Sequence, residues 1–233
     1  MPLAGKGMLL TSMDIDAEHE ADFNRWYDRE HLEERVAIDG FLEARRYVAH
    51  AANPKYLSLY STATLDVLDS PAYRARLANQ TEWSRQTMAR FKNMLRVVAR
   101  ITISHGTGRG VALGVVQLRP TADNASALRD ALREKFAPEK SAGIISIHLL
   151  ESEAELSGPT AGIPSVPNAG ARDWFVLIDG THVSAVSSMI AERFTGPAVS
   201  PSTLPVSVGT YCLMWDLAKS DINSHIKNDL ARG

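Results

Sequence analysis

The chain has 233 residues, 45% of them hydrophobic and 22% charged, and its formal net charge is −2. This composition is typical of a soluble globular protein, and the near-neutral charge argues against nucleic acid or an anionic membrane surface as a general partner. The single cysteine excludes an intramolecular disulfide and a multi-cysteine metal cluster.

The N-terminal segment "MPLAGKGMLLTSMDID" has no long apolar core, so we do not expect a signal peptide. No apolar run approaches the roughly 20 residues that a membrane-spanning helix needs. We therefore expect a cytoplasmic protein. Cys212 lies in the apolar run "VGTYCLMW", which predicts a buried and unreactive side chain.

The first half of the chain predicts the order strand, helix, strand, strand, helix, strand. Alternating or β-branched apolar runs indicate the strands, and Pro, Gly and Asn mark the turns between them. Ser70 as a cap and Pro71 at the first helical position indicate where the second helix begins. The predicted strands cover residues 7–15, 41–50, 55–64 and 94–104, and the predicted helices run from about 17 into the 30s and over 70–91.

The second half repeats this order without detectable sequence identity to the first. Its predicted strands cover residues 110–120, 143–153, 173–180 and 206–218, and its predicted helices cover 123–138 and 181–194. Each half therefore reads βαββαβ, which is the split-βαβ or ferredoxin-like unit.

We expect one unit at residues 1–107, which carries the candidate site, a second, degenerate unit at 108–220 and a tail at 221–233. The join contains "GTGRG", which we interpret as a linker because a phosphate-binding loop would be followed by a helix and not by a strand. The segments 155–171 and 195–209 are rich in Pro, Gly and Ser, and they predict either lids or disordered loops.

The predicted strands are apolar on both alternating sets of side chains, so both faces of each sheet need cover. Two helices cover one face, and packing the open faces of two units together covers the other. The predicted fold is therefore α+β, with tandem ferredoxin-like βαββαβ units packed sheet to sheet as a pseudo-dimeric α/β barrel. A space between sheet and helices, or between the sheets, would be a natural apolar pocket.

The stretch "FNRWYDREHLEERVAIDGFLEARRY" (23–47) resembles the dimeric α/β-barrel superfamily, near its EthD-like branch. The shared pattern is an aromatic-rich first helix, an acid–histidine pair, a tight turn and a strand with basic residues. Asp39 stands in the turn where proline is usual. The close match covers roughly residues 8–104, and the second half matches in element order only.

Members of this superfamily usually pair two chains, so the resemblance is compatible with a homodimer as well as with two units fused in one chain. The superfamily includes monooxygenases that act without a cofactor, polyketide cyclases, isomerases, decarboxylases and haem enzymes. Membership therefore implies a fold far better than it implies a function.

A helical wheel places the candidate site on the first helix. Its buried side carries Phe23, Trp26, Tyr27, Glu30 and Glu34, with His31 at the edge. The Glu30 carboxylate lies in this apolar stripe, where an unpaired charge would be costly to bury. Either Glu30 lines a cavity mouth beside His31, or it is paired with Arg45 or Arg46, which point to opposite faces of the next strand.

If this is a chemical site, His31 is the best general base because its unperturbed pKa is about 6.5. Glu30 would orient the imidazole or act as the acid, and Tyr27 would donate to a developing oxyanion. Phe23 and Trp26 would stack on the substrate, with Arg45 and Arg46 as further binding residues. In the alternative, structural interpretation, Glu30 belongs to a buried ion pair and His31 hydrogen-bonds the last helix carbonyls.

The expected function is the binding of a small apolar or aromatic molecule, with cofactor-independent acid–base catalysis by a lyase, isomerase, cyclase or monooxygenase. The alternative is a non-catalytic ligand-binding or structural protein. No metal site is expected, since no two histidines have helical ligand spacing and no HExxH occurs. A haem enzyme is a minor alternative that would need an axial ligand such as His182, which is more simply an exposed residue at a helix start.

Overall fold

Eight antiparallel strands close into a barrel in the computed structural model, which describes residues 3–157, 170–194 and 205–222. The order around the barrel is β1-β3-β2-β8-β5-β7-β6-β4. The strands are β1 (Gly7–Asp14), β2 (Phe41–Ala51), β3 (Tyr56–Thr62), β4 (Lys92–Gly106), β5 (Ala112–Leu118), β6 (Ile144–Ser152), β7 (Trp174–Gly180) and β8 (Pro205–Ala218).

Helices in the described ranges lie outside this barrel and cover it. They are α1 (Glu20–Trp26), α2 (Leu32–Val36), α3 (Pro71–Ala78), α4 (Glu82–Met88), α5 (Ala125–Lys135) and α6 (Val183–Arg193). Short 3-10 helices cover Ala17–His19, Leu65–Asp69 and Pro138–Lys140. No helix among the described residues combines the length and the apolar character that crossing a membrane requires.

The mixed α+β class predicted from the sequence is confirmed, and strands and helices alternate in the predicted order. The strands of the first half lie in the order β4-β1-β3-β2, and those of the second in the order β8-β5-β7-β6. Pairing of β2 with β8 and of β4 with β6 closes the circle. The candidate lid segments and the C-terminal tail lie largely outside the described residues.

Three apolar clusters form the core. One fills the barrel interior with side chains from both halves, among them Met8, Leu59, Val97, Leu113, Phe175 and Leu177. The second lies between the barrel and the helices of the first half, and the third lies between the barrel and α5 and α6. Each strand therefore buries side chains on both faces, as the uninterrupted apolar runs predicted.

The predicted helix over 70–91 is two helices, α3 and α4, broken at residues 79–81. Ser70 caps α3 as predicted, since its side chain accepts a hydrogen bond from the Tyr73 N–H at 3.2 Å. The break comes from Asn79, whose amide nitrogen donates to the Ala75 carbonyl, and from Thr81, whose hydroxyl caps α4. Local hydrogen bonds of this kind end a helix that the apolar period alone would continue.

The predicted burial of Cys212 is wrong, because this side chain is only partly buried. Alternation along β8 places Tyr211 inside the barrel with the interior core. Cys212 therefore faces outward, as does Met214, which is 39% exposed.

Candidate functional site

The first helical segment changes its winding at the position of the predicted site. It is α-helical over α1 and α2, but the turn between them, Tyr27–His31, is a π turn. A π turn closes over five residues instead of four, so later side chains are rotated relative to a regular helix. His31 is accordingly buried at 8% exposure, whereas Glu30 is only partly buried. Single π turns of this kind are frequent at functional sites.

A cavity of about 30 Å³ lies between this helical segment, α3, α4 and the outer face of β1, β3 and β4. Because one water needs at least about 10–15 Å³, the cavity has room for one or two waters. Its polar lining comes from Thr11, Tyr27, His31, Arg35, Tyr60, Tyr73 and Arg96, and its apolar lining includes Met13, Met88, Phe91 and Met94.

His31 is held by aromatic contacts. Its ring stacks on Trp26, with 4.1 Å between the ring centroids, and meets the edge of Tyr27 at 5.1 Å. Its Nδ1 atom is buried and has no hydrogen-bond partner among the described residues. Burial lowers the pKa of His31 well below its usual value, and the charges of Arg35 and Arg46 lower it further. The imidazole is therefore neutral at physiological pH.

Two phenol groups at the cavity have no strong hydrogen-bond acceptor in the described part of the chain. The Tyr27 hydroxyl lies 3.8 Å from the Met13 sulfur, which is a weak acceptor. The Tyr60 hydroxyl is buried and makes no hydrogen bond of standard geometry with any described residue, although Tyr27 and Ser58 lie near it. Burial raises the pKa of Tyr60 well above its usual value, so this group stays protonated and can donate.

Two arginines also line the cavity. Arg35 is 4% exposed, and its Nη1 atom has no hydrogen-bond partner in the described part of the chain. Arg96 is 7% exposed and donates to the Leu156 carbonyl at 2.8 Å and to the Tyr73 hydroxyl at 3.3 Å. The cavity thus presents positive charge and hydroxyl donors to whatever occupies it.

Glu30 does not line this cavity, and its carboxylate binds groups other than Arg45 and Arg46, so neither of the two positions predicted for it is found. Its Oε1 atom accepts hydrogen bonds from Trp26 Nε1 at 3.1 Å, Thr81 Oγ1 at 2.6 Å and Ser84 Oγ at 2.9 Å. The rotation at the π turn moves the carboxylate toward the start of α4, where Thr81 and Ser84 supply two of the three donors. Glu30 therefore ties the first helical segment to α4.

The two arginines of β2 point to opposite faces of the sheet, as predicted. Arg46 lies under α1, where its guanidinium covers the Tyr27 ring at 4.1 Å and bonds Asp28 at 3.2 Å. Arg45 points into the barrel and bonds Glu43 at 2.8 Å. Neither lines the cavity. Phe23 and Trp26 pack in the core next to it and do not form its wall.

Thr81 has two roles that a substitution should reveal. Its hydroxyl oxygen accepts a hydrogen bond from the Ser84 N–H at 3.0 Å, which caps α4, and its hydroxyl donates to Glu30. Thr81→Ala is expected to lower the free energy of unfolding by about 1–2 kcal/mol. Ser70→Ala is the matched control, since it removes a cap only, and should cost about 1 kcal/mol or less. Urea unfolding measures both, and a smaller loss for Thr81→Ala than for Ser70→Ala would contradict a role for Thr81 beyond capping.

The surroundings of His182, His148 and His31 do not fit an axial haem ligand. His182 is exposed at the start of α6, with its Nδ1 2.7 Å from the Thr181 hydroxyl. His148 is enclosed in the barrel, where both ring nitrogens are bonded to serines. The cavity beside His31 is far smaller than a porphyrin. The described residues also contain no cluster of three or more His, Cys, Asp or Glu suited to a metal ion.

No protein-family model and no curated protein sequence matches this chain. Solved structures do match along nearly its full length. An anthrone oxidase-like protein has a TM-score of 0.60 at 11% identity, covering 92% of this chain and 93% of its own. A proposed monooxygenase from Lactobacillus acidophilus has a TM-score of 0.57 at 8% identity, covering 92% and 97%. A proposed chlorite dismutase has a TM-score of 0.56 at 11% identity, covering 95% and 99%.

The likeness is one of fold. These neighbours have the ferredoxin-like architecture of dimeric α/β-barrel proteins, and identities of this size carry no residue roles.

Of the seven residues predicted for the site, Tyr27 and His31 line the cavity. Sequence analysis missed Arg35, Tyr60, Tyr73 and Arg96. One signal was available for Arg35, because Tyr27, His31 and Arg35 are spaced by four and so lie along one helix face. The other three come from separate elements, and nothing local in the sequence connects them.

Proposed function

We propose that this chain is a fused pair of ferredoxin-like units, near the EthD-like branch of the dimeric α/β-barrel superfamily. The identical element order of the two halves and their matching strand orders support the fusion. The reciprocal joins between β2 and β8 and between β4 and β6 support it as well. In this proposal the first unit carries the site and the second completes the barrel.

The proposed function is the binding of a small apolar or aromatic molecule between the first helical segment and the barrel. One observation carries it: His31 Nδ1 and the Tyr60 hydroxyl are both buried, neither makes a hydrogen bond of standard geometry with the described residues, and both residues line the same cavity. Unsatisfied buried polar atoms are costly, and three of those in the described residues belong to side chains that line this cavity: His31 Nδ1, Arg35 Nη1 and the Tyr60 hydroxyl. A bound ligand would satisfy them. Neighbours of the same fold that are described as anthrone oxidase-like and as a monooxygenase are consistent with a small-molecule ligand.

Ligand entry requires the cavity to grow, since pockets for organic ligands measure about 300–1,000 Å³. Met13, Met88 and Met94 line it together with Leu77. Methionine side chains are unbranched and flexible, so they can change rotamer and make room at low cost. We therefore propose that the ligand enters when Met13, Met88 and Met94 change rotamer, while the aromatic residues stay in place.

The chemistry proposed for this site is proton transfer without an organic cofactor. A neutral His31 can accept a proton from an acidic C–H or O–H group of the ligand, and Tyr60 and Tyr27 can donate to the oxygen on which charge develops. Such a step is common to isomerases, cyclases, lyases and cofactor-independent monooxygenases. A second candidate, non-catalytic binding, is favoured by the lowered pKa of His31, which makes the free imidazole a weak base.

The test uses His31→Phe, which keeps a ring stacked on Trp26 and removes both ring nitrogens. Alanine is unsuitable because His31 is buried and stacked, so the truncation would itself cost stability. Affinities for hydroxylated aromatics and acyl phenols are measured by calorimetry. We expect the wild type to bind members of this panel and His31→Phe to bind them about tenfold or more weakly, since a ligand hydrogen bond is lost.

His50→Phe is the control, because His50 is an exposed histidine on β2. It should bind like the wild type. Equal affinity of His31→Phe and the wild type would contradict the proposed site, and product formation from any bound ligand would favour catalysis over binding alone.

A further inference from the structure

Arg35 is the unusual member of the cavity wall. The two fully buried arginines of β2 are paired with acids, Arg45 with Glu43 and Arg46 with Asp28. Arg35 has no carboxylate within ion-pair distance among the described residues, and its Nη1 has no hydrogen-bond partner. The nearest acid in sequence, Glu34, feels the charge of Arg35 but is paired with Arg76 at 3.5 Å. A buried guanidinium without a partner is expensive, which points to a missing anion.

The other residues that line the cavity also favour a negatively charged ligand. The Tyr60 hydroxyl, which makes no hydrogen bond of standard geometry with the described residues, is a donor, and the Arg96 guanidinium adds a second positive charge. Among the described residues, no Asp or Glu lines the cavity. Apart from the unpartnered His31 Nδ1, which can accept in one tautomer, the open hydrogen-bonding positions are donors, so an oxygen that carries negative charge would satisfy them.

We infer that the cavity binds the anionic oxygen of a small organic acid, a carboxylate or an ionised phenol, with Arg35 and Tyr60 as donors to it. This inference rests on the proposed function and names the substrate class of the same site. The aromatic or apolar body of the acid would lie along the side of the cavity formed by Phe91 and the methionines. His31 would then lie beside the ligand atoms that are attached to the anionic group.

Binding of an anion would also change His31. The positive charges of Arg35 and Arg46 both lower the pKa of this imidazole. A bound negative charge offsets them, so the pKa of His31 rises toward neutrality only when the ligand is present. The acid would thereby turn a weak base into an effective one at the moment when a proton must be removed.

The experiment compares matched charged and neutral probes on the full chain. Benzoate is paired with benzamide, which has similar shape and no charge. 4-Nitrophenolate at pH 8.5 is paired with nitrobenzene and separates an ionised phenol from a carboxylate. Calorimetry gives the affinities, and we expect at least one anion to bind about tenfold or more tightly than its neutral partner. Anions that bind tightly should also raise the melting temperature of the wild type.

The variants are Arg35→Gln, which removes the charge, and Arg35→Lys, which keeps it. Arg76→Gln is the control, because Arg76 is a nearby arginine that does not line the cavity. We expect Arg35→Gln to lose the preference for anions and Arg35→Lys and Arg76→Gln to keep most of it. Because Arg35 has no carboxylate partner among the described residues, Arg35→Gln leaves none of these carboxylates unpaired. The variant should therefore unfold at the wild-type temperature or above it in the absence of ligand.

Equal affinity for charged and neutral probes, or an anion preference that survives Arg35→Gln, would overturn the inference. In that case the proposed function still stands if neutral aromatics bind in a way that His31→Phe abolishes. If neither charged nor neutral aromatics bind the wild type, both the inference and the proposed function fail. A preference for anions that depends on Arg35 supports both.

Discussion

Replacing Trp26 by alanine is expected to lower the free energy of unfolding by about 3–5 kcal/mol. The indole is fully buried and packs against Tyr27, His31 and Phe91. Its Nε1 atom also donates to Glu30 and to Ser84 at 3.1 and 3.0 Å. The substitution therefore opens a cavity and leaves a partly buried carboxylate with one donor fewer, and both effects destabilise the fold.

Trp83→Ala provides the matched comparison. Trp83 lies on α4, is only partly buried and packs on the edge of the same core cluster. Its loss should cost about 1–2 kcal/mol, because less apolar area returns to water. Urea unfolding followed by circular dichroism avoids the change in tryptophan fluorescence. Equal losses for the two variants would contradict the central position assigned to Trp26.

The second large effect concerns the pH dependence of stability and two groups inside the barrel. His148 is fully buried, and its Nε2 atom lies 3.8 Å from an Asp179 carboxylate oxygen. Burial lowers the pKa of His148 to about 3, with Arg45 and His105 adding to the effect. Burial raises the pKa of Asp179 to about 6, against the opposing effect of Arg45.

The two shifts act in opposite directions over the same pH window. The folded-state pKa of His148 is depressed. Its contribution to folding stability is therefore fully present above about pH 6.5 and is lost as the pH falls toward 3. The folded-state pKa of Asp179 is raised. Its contribution to folding stability is therefore fully present below about pH 4 and is lost as the pH rises through 6. When the pH falls from 7 to 4, the titration of His148 should lower the free energy of unfolding by about 3 kcal/mol, and the titration of Asp179 should raise it by about 2 kcal/mol.

Asp179→Asn is therefore expected to lose about 2 kcal/mol more than the wild type between pH 7 and pH 4. His148→Gln should show the reverse, gaining stability on acidification relative to the wild type. The measurement is a set of urea unfolding curves at pH 4, 5, 6 and 7 for the three proteins. Each variant is compared with itself across pH, so any change in packing cancels. Parallel profiles for all three would show that neither group titrates as its surroundings imply.

The order of elements could be read from the sequence because its signals are local. Apolar runs, turn residues and caps such as Ser70 specify strands and helices without reference to distant parts of the chain. The break between α3 and α4 was missed, since the apolar period continues across it and the capping hydrogen bonds of Asn79 and Thr81 decide the outcome. Barrel closure depends on strand pairings such as β2 with β8, which no local signal encodes.

The candidate site was predictable only where it lies on one helix. Tyr27 and His31 were found because they share the first helical segment, and the π turn between them explains why Glu30 was misplaced. A regular helical wheel cannot represent a turn of five residues. Tyr60, Tyr73 and Arg96 reach the cavity from a strand, a helix and another strand, so their meeting is a property of the tertiary fold alone.

The circular strand order has a consequence for synthesis on the ribosome. β2 pairs on one side with β3, its immediate successor, but on the other side with β8, which is made last among the strands. Throughout most of translation, one edge of Phe41–Ala51 therefore has no neighbour from its own chain. Exposed strand edges readily pair with strands of other molecules. The nascent chain is therefore open to aggregation through this edge until Pro205–Ala218 has been synthesised and pairs with β2.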